Sequence, residues 1–362
     1  MDPLVVQSSQ GPYTVGFDRS LGELVAHLGA IQSSVVLVDR SIITHYSVPL
    51  RALLESRPVY VIEANEDEKT LEGCARALTF LQQSNASRQT QVIAIGGGIV
   101  QDIATFCTHV YYRGLQWTYV PTTLLGMADS CIGAKASINF NGFKNQLGVF
   151  HSPSGVRICE AFLATLPDEE VRSGYGEIVK LHLAGSREAF TGMARTLDAG
   201  GFRNEQLSGF VRASLLIKKA VIEVDEFDNG IRRTLNYGHT FGHALEAVTH
   251  HAVPHGLAVV WGMDLINFIG VKRGLLAQAD FDAIHAVFAR HYAFALPRPI
   301  GAPELLAATR RDKKIKDGRL TLVIPSTPGN LRIVSQAYTP ELEGWIADYL
   351  EGPGTCFSSS QR

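Results

Sequence analysis

Three histidines in one short stretch have the spacing of metal ligands. His239 and His243 stand four residues apart in a segment of helical composition, so both imidazoles project from one helix face. His255 follows a proline and opens the next apolar segment, so a third ligand can come from the first turn of that helix. Imidazole suits zinc and its neighbours, and catalytic zinc commonly keeps three protein ligands and one open position. A lone H-x-x-x-H pair is more often structural, so the metal hypothesis depends on the surrounding residues.

Those surroundings are rich in polar groups. Arg232, Arg233 and Asn236 lie within two turns upstream of the histidines. Glu177 and Lys180, in G-Y-G-E-I-V-K, stand three residues apart on one face of another helical segment. This glutamate can complete a His-His-Glu metal site, with the lysine facing an anionic substrate beside the metal. Taken singly, such pairs are usually surface ion pairs, so both interpretations stay open at this point.

A glycine run marks a second candidate site nearer the N-terminus. Gly96, Gly97 and Gly98 follow a strand-like segment and open a helical one that contains Asp102. Backbone N–H groups at such a helix start can bind a pyrophosphate, although the spacing is not G-x-G-x-x-G and a tight packing turn is the alternative. Asp39 ends another strand-like run, where it can hold ribose hydroxyls or cap a helix.

A third stretch, residues 121–145, combines small side chains with charges. It carries Asp129, Lys135 and Lys144 together with several amides. This composition predicts a loop that meets an anionic ligand, and the alternative is a surface loop with incidental charge.

Hydrophobic periodicity indicates how these stretches are positioned. Over 1–153, short β-branched runs alternate with helical patterns, which predicts an α/β nucleotide-binding domain with a parallel sheet. Over 154–350, apolar positions recur at helical spacing, so we expect a mostly α-helical domain, which contains the candidate metal and substrate residues, with a late hairpin within 320–334. Residues 351–362 are poor in apolar side chains and are predicted to be a disordered tail.

Composition narrows the class of protein. The chain has 362 residues, 46% of them hydrophobic, which is natural for two globular domains. Its formal net charge of -2 argues against nucleic acid or an anionic membrane as the main partner. No long apolar run or signal-like N-terminus is present, and five scattered cysteines suit a reducing compartment. We therefore expect a cytoplasmic protein.

Eight short motifs follow one another along the chain. They are G-G-G-x-x-x-D, Y-R-G, P-T-T-L-L-x-x-x-D-S-x-I-G-x-K, K-N-x-L-G-x-F, G-E-I-V-K, R-x-x-L-N-Y-G-H-T-F-G-H-A-L-E, P-H-G and D-K-K. In order and approximate spacing, from about residue 35 to about residue 325, the chain resembles the 3-dehydroquinate synthase family of sugar phosphate cyclases. The resemblance implies an NAD-binding α/β domain, a helical metal-binding domain, an active site in the cleft between them and a homodimer.

Matched position by position, the resemblance also implies roles for individual residues. The divalent metal, zinc or cobalt, would be held by Glu177, His239 and His255. The substrate would be contacted by Lys135, Asn145, Asn236, His243 and Lys313 at its phosphate end, by Lys180, Lys218 and Arg232 near its hydroxyls and carboxylate, by Asp129, and by Arg113 from the neighbouring subunit. NAD would be bound by Asp39, Glu66, Lys69, Gly97, Gly98, Asp102, Thr122, Thr123, Lys144 and Thr165.

The family's reaction explains these residue types. Bound NAD oxidises a secondary alcohol, which acidifies the neighbouring C–H so that phosphate leaves, and the hydride then returns before an aldol step closes the ring. A divalent metal polarises the reacting oxygens, while cations bind phosphate and carboxylate. The resemblance thus implies a carbon–oxygen lyase of the shikimate pathway that acts on 3-deoxy-D-arabino-heptulosonate 7-phosphate.

Three departures from the family pattern keep alternatives open. Gln101 and Ala134 stand where the family has glycine, and Leu257 stands where it has glutamate. A specialised cyclase of secondary metabolism, acting on sedoheptulose 7-phosphate or glucose 6-phosphate, is one alternative. Another is a metal-dependent polyol dehydrogenase, which would consume NAD stoichiometrically and would need no cluster of cations. A catalytically inactive binding protein is disfavoured because the ligands and cations are all present.

Overall fold

The computed structural model describes residues 2–310 and 318–357. The chain forms two compact units. Unit one comprises Met1–Pro167 and Lys219–Phe227, and unit two comprises Asp168–Lys218 and Asp228–Arg362. Within the described ranges, no helix is long and apolar enough to span a bilayer.

Unit one is built on a parallel sheet. Its strands are β1 (Leu4–Val6), β2 (Tyr13–Asp18), β3 (Ser34–Asp39), β4 (Val59–Ile62), β5 (Gln91–Gly96), β6 (Trp117–Pro121), β7 (Lys135–Phe140), β8 (Phe143–Phe150) and β9 (Gly155–Cys159). Strands β7 and β8 form a separate antiparallel hairpin, and the other seven form one sheet in the order β1-β2-β9-β6-β5-β3-β4. Every pair in that sheet except β1–β2 is parallel. Central strands such as β3 and β5 are buried along nearly their whole length, which explains their continuous apolar sequence.

Helices connect the strands of this sheet. They are α1 (Leu21–Gly29), α2 (Arg40–Tyr46), α3 (Arg51–Glu55), α4 (Leu71–Gln83) and α5 (Gly98–Val110). Side-chain oxygens of Ser20, Asp39 and Thr70 accept backbone N–H bonds at the starts of α1, α2 and α4. These caps satisfy donors that a helix start otherwise leaves unpaired, so each helix begins at a fixed residue after its strand.

The strand order reverses between β3 and β5. From β3 the chain passes to β4, which pairs with one edge of β3. The next strand, β5, pairs with the opposite edge of β3, and β6 pairs with the far edge of β5. In open parallel sheets, ligands bind beyond the carboxyl ends of the strands at such a reversal. The predicted α/β architecture with a parallel sheet is confirmed, and Asp39 and Gly96 end the two strands that flank this point.

Unit two is mostly helical, as predicted. Its elements are α6 (Asp168–Gly185), α7 (Arg187–Gly200), the first part of α8 (Leu207–Ile222), α9 (His239–Val248), α10 (His255–Lys272), α11 (Gln278–His291), α12 (Ala302–Thr309), β10 (Arg319–Thr327), β11 (Asn330–Ala337) and α13 (Pro340–Glu351). Strands β10 and β11 form the expected antiparallel hairpin. The apolar residues of helix α10 lie on nearly every side of the helix and not along one stripe. The helix is therefore buried on nearly every side and forms the core of the unit.

The C-terminal segment packs onto unit two as far as it is described. A 3₁₀ turn spans Pro353–Phe357, and the Phe357 side chain is fully buried. The Phe294 backbone N–H donates to the Phe357 carbonyl over 3.1 Å. The remainder of the tail, residues 358–362, lies outside the described residues.

Candidate active site

Two glycines allow α6 and α10 of unit two to touch backbone to backbone. A Cβ on Gly256 would lie 1.7 Å from the Ser173 carbonyl oxygen, and a Cβ on Gly176 would lie 2.3 Å from the Gly256 carbonyl oxygen. No larger residue fits at either position without moving a helix. The residues that follow and precede these glycines, Glu177 and His255, are therefore brought close together.

A second glycine contact joins α9 to α10 in the same unit. A Cβ on Gly262 would lie 2.1 Å from the carbonyl oxygen of Gly238, which has a left-handed backbone with φ of 80°. Gly238 comes directly before His239, the first residue of α9. The close contact thus fixes the start of α9, and with it His239, against α10.

These helix contacts bring Glu177, His239 and His255 together. The Glu177 Oε1 atom lies 3.1 Å from His255 Nε2 and 3.6 Å from His239 Nε2. One ligand atom from each of the three residues lies within 4.8 Å of the others. Two imidazole nitrogens and one carboxylate oxygen are a donor set that suits zinc or a neighbouring divalent metal.

The imidazoles are held in the orientation that a metal requires. The Nδ1 of His239 lies 3.1 Å from the Tyr237 carbonyl oxygen, and the Nδ1 of His255 lies 3.3 Å from both Glu246 carboxylate oxygens. Both acceptors require Nδ1 to be the protonated nitrogen. Each ring therefore presents Nε2, the nitrogen that faces Glu177.

Charges around Glu177 keep it ionised. Its side chain is 2% exposed and forms an ion pair with the equally buried Lys180. Burial opposes ionisation, but Lys180 and His255 outweigh it and hold the pKa of this carboxyl well below its usual range. Burial lowers the pKa of His255, whereas Glu177 and Glu246 raise it to about 10. Metal binding at this site should therefore release a proton.

His243 lies beside the three residues on the same helix face as His239. The ring centroid of His243 lies 5.3 Å from that of His239 and 5.8 Å from that of His255. It forms a second possible ligand group with Glu246 and His255. No motif marks Glu246 as a site residue, although its spacing of three after His243 and seven after His239 places it on that helix face.

The remaining predicted residues of unit two include buried cations. Lys218 is 8% exposed and Arg232 is 7% exposed, both low values for such side chains. The Asn236 amide donates to the Arg233 carbonyl over 3.2 Å, within the 3₁₀ turn Ile231–Asn236. Lys313 lies outside the described residues.

In unit one, two predicted NAD residues lie at the reversal of strand order. Gly97 follows β5, and Gly98 begins α5. A Cβ on Gly97 would lie 3.0 Å from Thr123 Cγ2, whereas a Cβ on Gly98 would meet nothing within 4 Å. This open helix start suits a pyrophosphate. Asp39 ends the neighbouring strand, and its carboxylate accepts from the Ser41 N–H over 2.8 Å.

Another group of predicted residues forms one polar network in unit one. The Lys69 ammonium lies 2.6 Å from an Asp102 carboxylate oxygen and donates to the Asn145 amide oxygen over 2.8 Å. Burial raises the pKa of Asp102, and the nearby Lys69 opposes this shift. Glu66 accepts from the Asn139 amide over 2.8 Å and lies 3.6 Å from the Lys144 ammonium.

The other predicted residues of unit one are spread over it. Thr122 donates its N–H to the Gly96 carbonyl over 3.1 Å, and the Thr165 hydroxyl lies 2.9 Å from the Tyr46 hydroxyl. Asp129 is buried in the π-helical turn Gly126–Ser130. Two cations are exposed: Lys135 at the start of β7, and Arg113 in a turn where its φ is 64°.

The sequence of the chain matches the models of one known protein family. The family models of the 3-dehydroquinate synthase N-terminal and C-terminal regions match residues 59–173 and 174–315. The chain belongs to the 3-dehydroquinate synthase family. Curated 3-dehydroquinate synthases include that of Opitutus terrae, 36% identical over 311 residues that cover 84% of each chain. That of Caldanaerobacter subterraneus is 33% identical and covers 92% of this chain and 97% of its own.

Solved structures of related cyclases share the fold. A 2-epi-5-epi-valiolone synthase from Streptomyces hygroscopicus, with NAD⁺ and Zn²⁺ bound, is 26% identical with a TM-score of 0.83, covering 94% of this chain and 97% of that one. A 2-deoxy-scyllo-inosose synthase, complexed with carbaglucose-6-phosphate, NAD⁺ and Co²⁺, is 20% identical with a TM-score of 0.84, covering 96% and 99%. A glycerol dehydrogenase from Schizosaccharomyces pombe is more distant, with 17% identity, a TM-score of 0.63, and coverage of 98% and 91%.

The three departures from the family pattern have identifiable surroundings. Gln101 donates to the Ser130 carbonyl and accepts from the Ser130 hydroxyl, each over 2.6 Å, so it holds the turn that contains Asp129. Ala134 adopts a φ of 62°, a conformation that favours glycine. Leu257 is buried in the core around α10.

Proposed function

We propose that this member of the 3-dehydroquinate synthase family converts 3-deoxy-D-arabino-heptulosonate 7-phosphate to 3-dehydroquinate and phosphate. The observation that carries the proposal is the convergence of Glu177, His239 and His255, with Lys180 paired to the buried carboxylate. The curated relatives that share one third of the sequence are 3-dehydroquinate synthases, which supports the same substrate. The reaction would be a phosphate elimination followed by ring closure, within the shikimate pathway of aromatic amino acid biosynthesis.

The residues present fit a divalent metal and NAD. Glu177, His239 and His255 would hold zinc or cobalt, because their donor atoms converge and both imidazoles present Nε2. Gly97, Gly98 and the residues around Lys69 and Asp102 would hold NAD. When bound, the metal polarises a substrate oxygen, and NAD accepts a hydride and returns it.

The chain's own side chains would bind and orient an anionic substrate. Lys218 and Arg232 are buried cations, and the guanidinium of Arg232 is a planar fork of N–H donors that matches a carboxylate. Lys135, Asn145, Asn236 and His243, together with Lys313, are assigned to the phosphate end. The phosphate itself can accept the proton that elimination releases, so the protein needs little additional acid–base chemistry.

A specialised cyclase is the second candidate. A 2-epi-5-epi-valiolone synthase is 26% identical to this chain and has a TM-score of 0.83, so a cyclase with another substrate can share this sequence pattern and fold. Gln101, Ala134 and Leu257 are the positions that favour this alternative. A polyol dehydrogenase is less well supported, because the glycerol dehydrogenase structure is only 17% identical.

Assembly and location follow from the same proposal. We expect a cytoplasmic homodimer in which Arg113 reaches the neighbouring active site. The exposed position of Arg113, in a turn with φ of 64°, is compatible with such a role.

The substrate is tested by phosphate release. The protein, loaded with NAD and Zn²⁺ or Co²⁺, would be incubated with 3-deoxy-D-arabino-heptulosonate 7-phosphate, sedoheptulose 7-phosphate or glucose 6-phosphate. A neutral sugar head cannot form the bidentate pair with Arg232 that a carboxylate forms, which forgoes about 1–3 kcal/mol of binding, so the acid should react roughly tenfold to a hundredfold faster. Faster turnover of a neutral-headed sugar phosphate would instead identify a specialised cyclase.

A further inference from the structure

The carboxylate of Glu246 contacts one of the two imidazoles in the proposed metal site. Both of its oxygens lie 3.3 Å from His255 Nδ1. On the opposite side of that ring, His255 Nε2 lies 3.1 Å from Glu177 Oε1. The ring is therefore clamped between two carboxylates, one of which faces each nitrogen.

Helix geometry explains how Glu246 reaches this ring. His239, His243 and Glu246 occupy positions i, i+4 and i+7 of α9, so they form one stripe along the helix. The same face of α9 thus supplies one proposed ligand, His239, and a partner for another, His255, which comes from α10. The backbone contact between Gly262 and Gly238 keeps these two helices in register.

We infer that Glu246 is the positioning residue of His255, holding its Nδ1–H so that Nε2 stays directed at the metal. This inference rests on the proposed function, because it requires a metal at Glu177, His239 and His255. A carboxylate on the distal nitrogen fixes the tautomer and the ring plane, and it makes the coordinating nitrogen more basic. For His239, the corresponding nitrogen faces a neutral acceptor, the Tyr237 carbonyl.

A purely local role for Glu246 is less consistent with its contacts. Its side chain is 13% exposed, so it is shielded from most of the solvent. Another neighbour, His251, is more distant, at 3.9 Å, and is 46% exposed, while His243 belongs to the same group of possible ligands as Glu246 and His255. Removing His251 should therefore change little at the metal, whereas removing Glu246 should change it directly.

Metal affinity is the first measurement. Zn²⁺ and Co²⁺ dissociation constants would be determined by chelator competition for wild type, Glu246→Gln and Glu246→Ala. Loss of such a partner typically weakens metal binding about 10- to 100-fold, and this is the expected result for Glu246→Ala. The loss of metal affinity should be smaller in Glu246→Gln, because the glutamine amide oxygen can still accept from His255 Nδ1–H. An unchanged dissociation constant in Glu246→Ala would overturn the inference, and the isosteric Glu246→Gln carries the test if the alanine variant fails to fold.

A spectroscopic measurement separates positioning from general stability. In the Co²⁺-loaded protein, the Nδ1–H protons of metal-bound histidines give strongly shifted, exchangeable resonances. We expect two in wild type, with one of them exchanging faster in Glu246→Gln and lost to exchange in Glu246→Ala. If both resonances keep their wild-type exchange rates in the variants, Glu246 does not hold His255.

Three further variants serve as controls. His251→Ala removes a more distant neighbour of Glu246, and Glu304→Gln removes a carboxylate that pairs with Arg298 instead. Both should keep the wild-type dissociation constant. His255→Ala should lose the metal. If His255→Ala retains a full equivalent, the proposed metal site is wrong and this inference falls with it. If His255→Ala loses the metal but Glu246→Ala binds it with the wild-type dissociation constant, the metal site stands and the positioning role of Glu246 is wrong.

Discussion

Arg232 is a buried guanidinium, and its shape matters as much as its charge. Its side chain is 7% exposed, and its planar fork of N–H donors would match the carboxylate of the proposed substrate. We predict that Arg232→Lys lowers kcat/KM for 3-deoxy-D-arabino-heptulosonate 7-phosphate about 10- to 100-fold, because lysine lacks the bidentate fork. The weaker reaction with sedoheptulose 7-phosphate should change much less.

Steady-state kinetics with both substrates would measure this difference. The matched control is Arg233→Lys, which changes the neighbouring arginine and should leave both reactions near wild type. An equal loss for the two substrates would show that Arg232 does not recognise a carboxylate.

A second residue-scale prediction concerns a buried ion pair away from the proposed metal site. His285 Nδ1 lies 2.8 Å from an oxygen of the fully buried Asp264, which also accepts from the Tyr349 hydroxyl over 2.9 Å. Hydrogen bonds to Asp264 and to Cys356 raise the pKa of His285 to about 10. A histidine whose pKa is raised on folding stabilises the protein fully below the unfolded pKa of about 6.5, and this contribution is lost as pH rises towards 10.

The free energy of unfolding should therefore fall by roughly 1–3 kcal/mol between about pH 6.5 and about pH 10. Urea unfolding across this range measures it in wild type and His285→Gln. The variant should be less stable near pH 6.5 and should show a shallower pH dependence, while His45→Gln, at an exposed position, should follow wild type. Parallel curves for wild type and His285→Gln would contradict the prediction.

At the scale of elements, the helix crossings decide the geometry of unit two. A Cβ on Gly256 would lie 1.7 Å from the Ser173 carbonyl oxygen, so Gly256→Ala must push α10 away from α6. Overpacking of this kind typically costs about 1–3 kcal/mol. We predict a lower melting temperature and weaker metal binding, because His255 precedes this glycine. The control is Gly192→Ala on α7, where a Cβ would meet nothing within 4 Å. Equal behaviour of the two variants would show that this contact is not needed.

Sequence periodicity predicts the elements well and their contacts poorly. The helical segment predicted after the glycine run corresponds to α5, and the expected late hairpin corresponds to β10 and β11. The composition of residues 121–145 predicts a loop, yet this stretch includes a π-helical turn and much of the β7–β8 hairpin. Their small and polar side chains lack the alternation of a half-buried strand, and β8 is largely exposed.

The grouping around Glu177 shows the same limit. The spacing of His239 and His243 predicts a shared helix face, which the structure has, but spacing along one helix does not determine which side chains meet a second helix. Three glycine contacts determine that, and they bring Glu177 and His255 to His239. A glycine next to each of these three residues was the available signal.

At the scale of the whole molecule, the proposed reaction has no net redox change. Hydride would leave and return to the same substrate, so we predict many turnovers per NAD without growth of NADH absorbance. The measurement is phosphate release together with absorbance near 340 nm, at an NAD concentration close to that of the enzyme. Stoichiometric NADH formation would contradict the prediction and would favour a polyol dehydrogenase.

The two compact units are interleaved along the chain. Unit one is left after Pro167, entered again at Lys219 within α8, and left again after Phe227. The returning segment is anchored in unit one, because Glu223 accepts from the Gln7 N–H, Glu226 accepts from the Ser9 N–H, and Phe227 contacts Phe150. A ribosome must therefore synthesise α6 and α7 before the first unit can acquire its last segment. Cutting the gene after codon 167 would leave unit one without its last segment, Lys219–Phe227, which would stay on the fragment that carries unit two. The first fragment should therefore regain its full structure only when the two are combined.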